Sequence, residues 1–190
     1  MKNEQNLGIS RTLNKGFDNL LDNYQFIARM DADDWCYPKR FETQLKMFEE
    51  DEDLMMCGTQ GYWSGNFEKL PKQNWTYPQK HNMLKLNLLF SSSFGHSSVI
   101  FRAKFLRENK IKYNESIKTC EDWELWTRFL ELGKVANSSN FLMNYRLVPQ
   151  SNHRNPANKE LHFNERIIAI QKQWLNYGVE IKKRDLYTFY

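Results

Sequence analysis

Asp31-Ala32-Asp33-Asp34 puts three carboxylates into four residues, directly after the apolar run Phe26-Ile27-Ala28-Arg29-Met30. Such a run has the pattern of a short buried strand. Carboxylates crowded at the carboxyl end of a buried strand repel one another unless a cation or a bound ligand offsets the charge. In open α/β sheets that end is also where ligands bind. Hard oxygen donors suit Mg²⁺ or Mn²⁺, which bind through one or two carboxylates plus substrate phosphates. Asp31 and Asp33 are the expected pair at such a metal, with Asp34 capping the following turn. The same residues also fit a simpler role, as acid near the positive end of the next helix.

A second acidic group is Cys120-Glu121-Asp122-Trp123-Glu124-Leu125-Trp126. Carboxylates at a helix start favour the helix dipole, and the tryptophans suit core packing. A carboxylate there that faces a cleft can also take a proton from a substrate hydroxyl, a form of catalysis worth on the order of 10²–10⁴-fold. A third segment, Asn6 to Gly16, turns into a helix whose first amides can hold a phosphate, with Arg11 adding positive charge. Arg11 equally suits a solvated helix surface.

These groups need elements to position them. Leu13, Phe17, Leu20 and Leu21 recur at helical spacing, with Ser10 as the expected N-cap. The strand ending at Met30 follows. Phe41, Leu45 and Phe48 then give a helix one apolar face, with Pro38 near its first turn. Leu54 to Thr59 reads as a second buried strand. Residues 61–79 read as loop with room for a strand or two, shaping a cleft. A helix over 81–90, a strand at Val99-Ile100-Phe101 and a helix over 121–132 closed by Gly133 come next. A strand over 141–147 precedes an amphipathic helix marked by Phe163, Ile167, Ile170 and Trp174, ending near Gly178. One mixed α/β domain over residues 1–190 is the expectation, with no internal repeat or linker.

Composition narrows the field. The 190 residues are 41% hydrophobic, enough for a real core. A net charge of +4, from 27 basic and 23 acidic residues, is too small and scattered to argue for nucleic acid. Lys182-Lys183-Arg184 is the single basic run and fits a solvated helix end or a membrane-surface contact. Three cysteines without CxxC spacing argue against a disulfide scaffold or a structural zinc site, and suit a reducing, cytoplasmic setting. No stretch approaches the roughly 18 apolar residues of a membrane span. The 15% aromatic content fits a large core or a carbohydrate-handling surface.

The order of these motifs resembles family 2 glycosyltransferases of the GT-A fold. It comprises an Asn-x-Gly segment, a strand ending in Met-Asp-Ala-Asp-Asp, then His96-Ser97-Ser98-Val99-Ile100-Phe101-Arg102, then Glu121-Asp122-Trp123-Glu124-Leu125-Trp126. The match runs over residues 6–147, with the helix over 158–178 as an appendage. The resemblance implies a GT-A-like (Rossmann-like) mixed sheet flanked by helices, and inverting transfer of a sugar from a nucleotide-sugar donor to a hydroxyl acceptor. Asp31 and Asp33 would hold Mn²⁺ or Mg²⁺ and the donor diphosphate, joined by Arg11. Asp122 would be the base, and Glu121 would help to position the acceptor. His96, Trp123 and Trp126 would border that acceptor, although a hydrogen-bonded histidine and core tryptophans explain them as well. A glycan or lipid-linked acceptor for cell-surface polysaccharide or lipopolysaccharide follows, with work in the cytoplasm or at the inner membrane face.

One departure matters. Family members usually open with a Val-Ser-Val-Ile-x-Pro-x-Tyr-Asn strand and a strand ending in Asp-Asp-Gly-Ser, which carry much of the nucleobase pocket. Neither occurs in this chain. The expectation is therefore a domain truncated at its N-terminus, weak or inactive alone, with an exposed sheet edge open to another chain. Two rivals stand beside it: a non-catalytic glycan- or protein-binding module on a degenerate fold, and a nucleotidyltransferase or phosphohydrolase using paired aspartates.

Overall fold

The computed structural model describes residues 2–65, 73–147 and 156–186, which build one mixed sheet with helices on both faces. The centre of the sheet is β3 (Leu54–Ser64), parallel to β6 (Lys134–Arg146) from Leu54 opposite Lys134 to Ser64 opposite Arg146. On its other side β3 pairs antiparallel with β5 (Ile100–Arg102), and β5 with β1 (Phe26–Ala28). A two-residue strand, β2 (Trp35–Cys36), lies antiparallel to β6 through Trp35 opposite Asn144. The far half of β3 turns to a different partner, β4 (Gln73–Trp75), with Gly61 opposite Trp75. The strand order is β1-β5-β3-β6-β2, with β4 off that path.

Helices α1 (Ile9–Leu20), α3 (His81–Asn87), α4 (Ala103–Glu108), α5 (Glu121–Leu132) and α6 (Lys159–Asn176) contribute to the main core. Leu125, Trp126, Phe129 and Leu130 of α5 are buried in it with Met56, Phe101 and Val135 of the sheet. Burial of each such side chain contributes roughly 1.5–3 kcal/mol. Ile167 and Ile170 bring α6 into the same core. A smaller cluster, Phe48, Leu54, Cys57 and Ile100, lies under α2 (Arg40–Glu50).

Several expectations change. β1 is an edge strand, antiparallel to its neighbour, and only its Ile27 is buried; Met30 is exposed. The apolar run marks a strand correctly, but not a buried parallel one. On α2 the buried face is Arg40, Gln44 and Phe48, while Phe41 is exposed. Polar side chains occupy that face because backbone carbonyls await them. Arg40 Nη2 donates to Arg29 O at 3.0 Å, and Gln44 Nε2 donates to Cys57 O and Ser98 O, both at 2.9 Å. Gly8, not Ser10, caps α1, and Ser10 is buried inside the helix. The helix expected over 81–90 stops at Asn87. β6 begins seven residues before the expected Phe141, at Lys134, its polar first half hidden in Asn137-Ser138-Ser139-Asn140. Gly133 does end α5, but its backbone is extended (φ 176°). A Cβ there would meet Met55 Sδ at 1.9 Å, so a larger residue would have to displace the end of that side chain. Within residues 61–79 the end of β3 and all of β4 form a hairpin, and 66–72 lie outside the described residues.

Candidate active site

The acidic loop joins β1 to β2 and is tied down by one arginine and one serine. Arg29 is 6% exposed and grips Asp31 with both guanidinium nitrogens, Nη1 to Oδ2 at 2.7 Å and Nη2 to Oδ1 at 2.6 Å. This bidentate fork is the strongest geometry an ion pair has. Ser97 Oγ accepts from Arg29 Nη1 at 3.0 Å and from the Asp31 amide at 3.2 Å. Its own proton goes to Asp34 Oδ2 in a short hydrogen bond. One donor and two acceptors exhaust a hydroxyl, so Ser97 is fully used. Asp34 Oδ1 accepts the Arg146 amide at 2.8 Å, tying the loop to the end of β6. Burial raises the Asp34 carboxyl above its ordinary value, opposed by the Ser97 and Arg146 bonds and reinforced by Asp31 and Asp33. Asp34 is thus a buried strut rather than a turn cap. Asp33 is exposed.

Glu121 and Asp122 open α5, as their spacing before the apolar stripe foretold. Glu121 is 7% exposed. Burial first, and the neighbouring Asp122 second, push its carboxyl up to about 7. His96 Nδ1 lies 3.7 Å from Glu121 Oε1, and His96 Nε2 shares a 2.8 Å hydrogen bond with the Tyr113 hydroxyl. Burial, then the nearby Arg29 charge, lower His96 well below its ordinary value, so the ring is neutral at pH 7. Asp122 is half-buried, and its Oδ1 accepts the Trp123 amide at 2.7 Å.

Glu165, on α6, went unnoticed in the sequence. Its carboxylate accepts the amides of Lys118 (2.8 Å), Thr119 (2.7 Å) and Cys120 (3.2 Å) and the Thr119 hydroxyl (2.7 Å). It therefore fixes the three residues that lead into Glu121. The one available signal was a charged residue amid the apolar stripe Phe163, Ile167 and Ile170.

The two acidic groups meet at a single turn. His96 faces Glu121 while Ser97, the next residue, holds Asp31 and Asp34. Arg11 stands apart: it is exposed and paired with Glu115 at 2.9 Å. Trp126 is fully buried against Phe94, His96 and Phe101, and Trp123 is 6% exposed. Both tryptophans belong to the core, and neither offers a face to an acceptor.

A divalent metal at this loop would have to be shared with a bound ligand. Asp31 is engaged by Arg29, Asp33 is open, and among the described residues no three His, Cys, Asp or Glu side chains converge to hold an ion. One or two carboxylates here would need phosphate oxygens of a ligand to complete the shell.

Residues 1–107 match the family model Glycosyl transferase family 2, a span that contains the acidic loop. The chain is 31% identical over 146 residues to the amylovoran biosynthesis glycosyltransferase AmsE of Erwinia amylovora, covering 75% of this chain and 52% of that protein. It is 34% identical over 134 residues to the O-antigen biosynthesis glycosyltransferase WbnJ of Escherichia coli (67% and 50%). It is 28% identical over 182 residues to an uncharacterized glycosyltransferase of Methanocaldococcus jannaschii (93% and 59%). The crystal structure of S. aureus TarS 1–349 in complex with UDP-GlcNAc superposes with a TM-score of 0.65 at 16% identity, covering 97% of this chain and 52% of that one. The chain spans about half the length of these proteins.

Proposed function

The chain belongs to glycosyl transferase family 2, and on that premise we propose that it moves a sugar from a nucleotide-sugar donor to a hydroxyl of a glycan or lipid-linked acceptor, with inversion. The observation that carries this reading is the His96-Ser97 turn, which brings the Glu121-Asp122 helix start to the acidic loop. Two adjacent carboxylates, one of them buried and raised, suit divided acid–base roles. Glu121, raised to about 7, still carries its proton on about half of the molecules at neutrality and in that form offers a hydrogen bond. Asp122 takes the acceptor proton as the acceptor oxygen bonds to the anomeric carbon. The bond from that carbon to the diphosphate breaks, and its electron pair leaves with the nucleoside diphosphate.

Asp33, with Asp31 where Arg29 yields it, would hold Mn²⁺ or Mg²⁺. When bound, the ion stabilises charge on the departing diphosphate. Arg29 and Ser97 hold the loop in its present shape.

The names of two relatives, in amylovoran and O-antigen biosynthesis, support an acceptor in cell-surface polysaccharide assembly. The UDP-GlcNAc complex of the TarS neighbour supports a nucleotide-sugar donor. Among the described residues no helix is long and apolar enough to cross a membrane. We place the work in the cytoplasm, at the inner membrane face, with Lys182-Lys183-Arg184 as the contact to anionic lipid. One observation favours the rival reading of a non-catalytic binding module: Asp31 is already neutralised by Arg29. Calorimetric titration with UDP, GDP and dTDP, each with and without Mn²⁺, separates the two. Metal-dependent binding of one nucleotide upholds transfer; binding of none by the folded chain favours the module.

A further inference from the structure

Four aromatic side chains line one face of the sheet between the two acidic groups. Trp63 and Tyr145 sit opposite each other on β3 and β6, so they share a face, and their rings are 5.1 Å apart. Trp75, opposite Gly61 on β4, continues the row at 6.3 Å from Trp63, and Tyr77 follows at 5.4 Å. One end of the row adjoins the acidic loop, because the Arg146 amide beside Tyr145 bonds to Asp34. The row also reaches the start of α5, since the Trp75 ring abuts Gly95, the residue before His96, and His96 Nδ1 lies 3.7 Å from Glu121 Oε1. The rings are neither core nor stray surface groups: all four are half-buried. The Trp75 ring packs against Gly61 and Gly95, where an added Cβ would meet it at 2.2 Å or 2.6 Å. Two glycines thus clear the space in which this row is seated.

We propose that Trp63, Trp75, Tyr77 and Tyr145 form the platform on which a pyranose ring of the acceptor lies, its hydroxyl directed toward Asp122. This rests on the sugar-transfer reading and names the acceptor as carbohydrate at the site itself. Aromatic faces bear partial negative charge and pack against the C–H face of a sugar, while the hydroxyl edge turns to polar groups. Neighbouring rings are inclined to one another by 53–73°, a corrugated wall suited to a puckered ring. A flat nucleobase would call for a parallel slot.

The test is titration of the purified chain with methyl glycosides of glucose, galactose and N-acetylglucosamine, read by tryptophan fluorescence and saturation-transfer NMR. UDP, GDP and dTDP are titrated in parallel. One glycoside should bind in the millimolar range, and Trp63→Ala should weaken it at least fivefold without changing nucleotide affinity or the circular dichroism spectrum. Trp63→Phe should restore most of the binding, and Tyr145→Ala should repeat the loss. No glycoside bound by a folded chain, or equal binding by both alanine variants, overturns the platform. So does a loss that falls on the nucleotide instead, which would make the row a base-stacking site. Glycoside binding without any nucleotide binding would keep the platform and remove the transfer reading.

Discussion

The acidic loop and the start of α5 both carry adjacent carboxylates, yet they are held by opposite means. In the loop, Asp31 has a cation fastened to it, and two hydrogen-bond donors to Asp34 oppose the cost of its burial, so negative charge meets partners on the spot. At α5, Glu121 is buried beside Asp122 and a neutral histidine, and its charge is resisted. Charge that is answered makes a stable shape for a ligand to use. Charge that is resisted makes a proton mobile near neutral pH. A site that binds an anion and moves a proton needs one of each.

That contrast can be broken from either side. The largest effect falls on the α5 side. Asp122→Asn should lower turnover by roughly 10²–10⁴-fold with nucleotide affinity unchanged, measured by transfer assay beside calorimetry. Equal activity in the variant would remove the base from Asp122. On the loop side, Arg29→Met strands Asp31 and the Ser97 network. Because Asp31 is 37% exposed, water recovers part of the loss, and the expected cost is about 2 kcal/mol. It should appear as a lower urea midpoint with an unchanged slope.

Glu165→Gln is next, at about 1–2 kcal/mol, since an amide oxygen replaces a charged acceptor of three backbone amides. Its signature is a split: kcat falls while the donor KM stays, because only the lead into α5 loosens. The remaining effect shows only as a dependence on pH. Folding raises the Glu121 carboxyl, so the folded chain keeps a proton that the unfolded chain releases. The contribution is full below pH 4.5, the ordinary value, and is lost as pH rises toward about 7. Glu121→Gln should flatten that decline, worth about 1–3 kcal/mol, in thermal melts taken across this range.

Much of the helical layout was legible in the sequence because apolar spacing reports burial directly. Glu121–Leu132 was read to the residue, and the helix through Ile167 and Ile170 nearly so. The failures share a cause: polar residues buried for the sake of backbone partners. Arg40 and Gln44 hid the inner face of α2, and Asn137-Ser138 hid the first half of β6. Glu165 escaped for the same reason, as its partners are amides 45–47 residues away. The motif residues of the site were findable by type and order. Which of them face each other was not, since that depends on Arg29, Ser97 and His96 meeting in space. The tryptophans of α5 show the converse, being prominent in sequence and spent on the core.

His96 and Ser97 stand on either side of one peptide bond, with their α-carbons about 3.8 Å apart. A span set by covalent geometry does not stretch with temperature or with loop motion. Thermal fluctuations of the loop and of the α5 start should therefore be correlated, moving as one piece through that bond. Evolutionary drift is constrained in the same way: an insertion or deletion between residues 95 and 98 would change the spacing between the acidic loop and the start of α5 in a single step, where a point substitution would leave it intact.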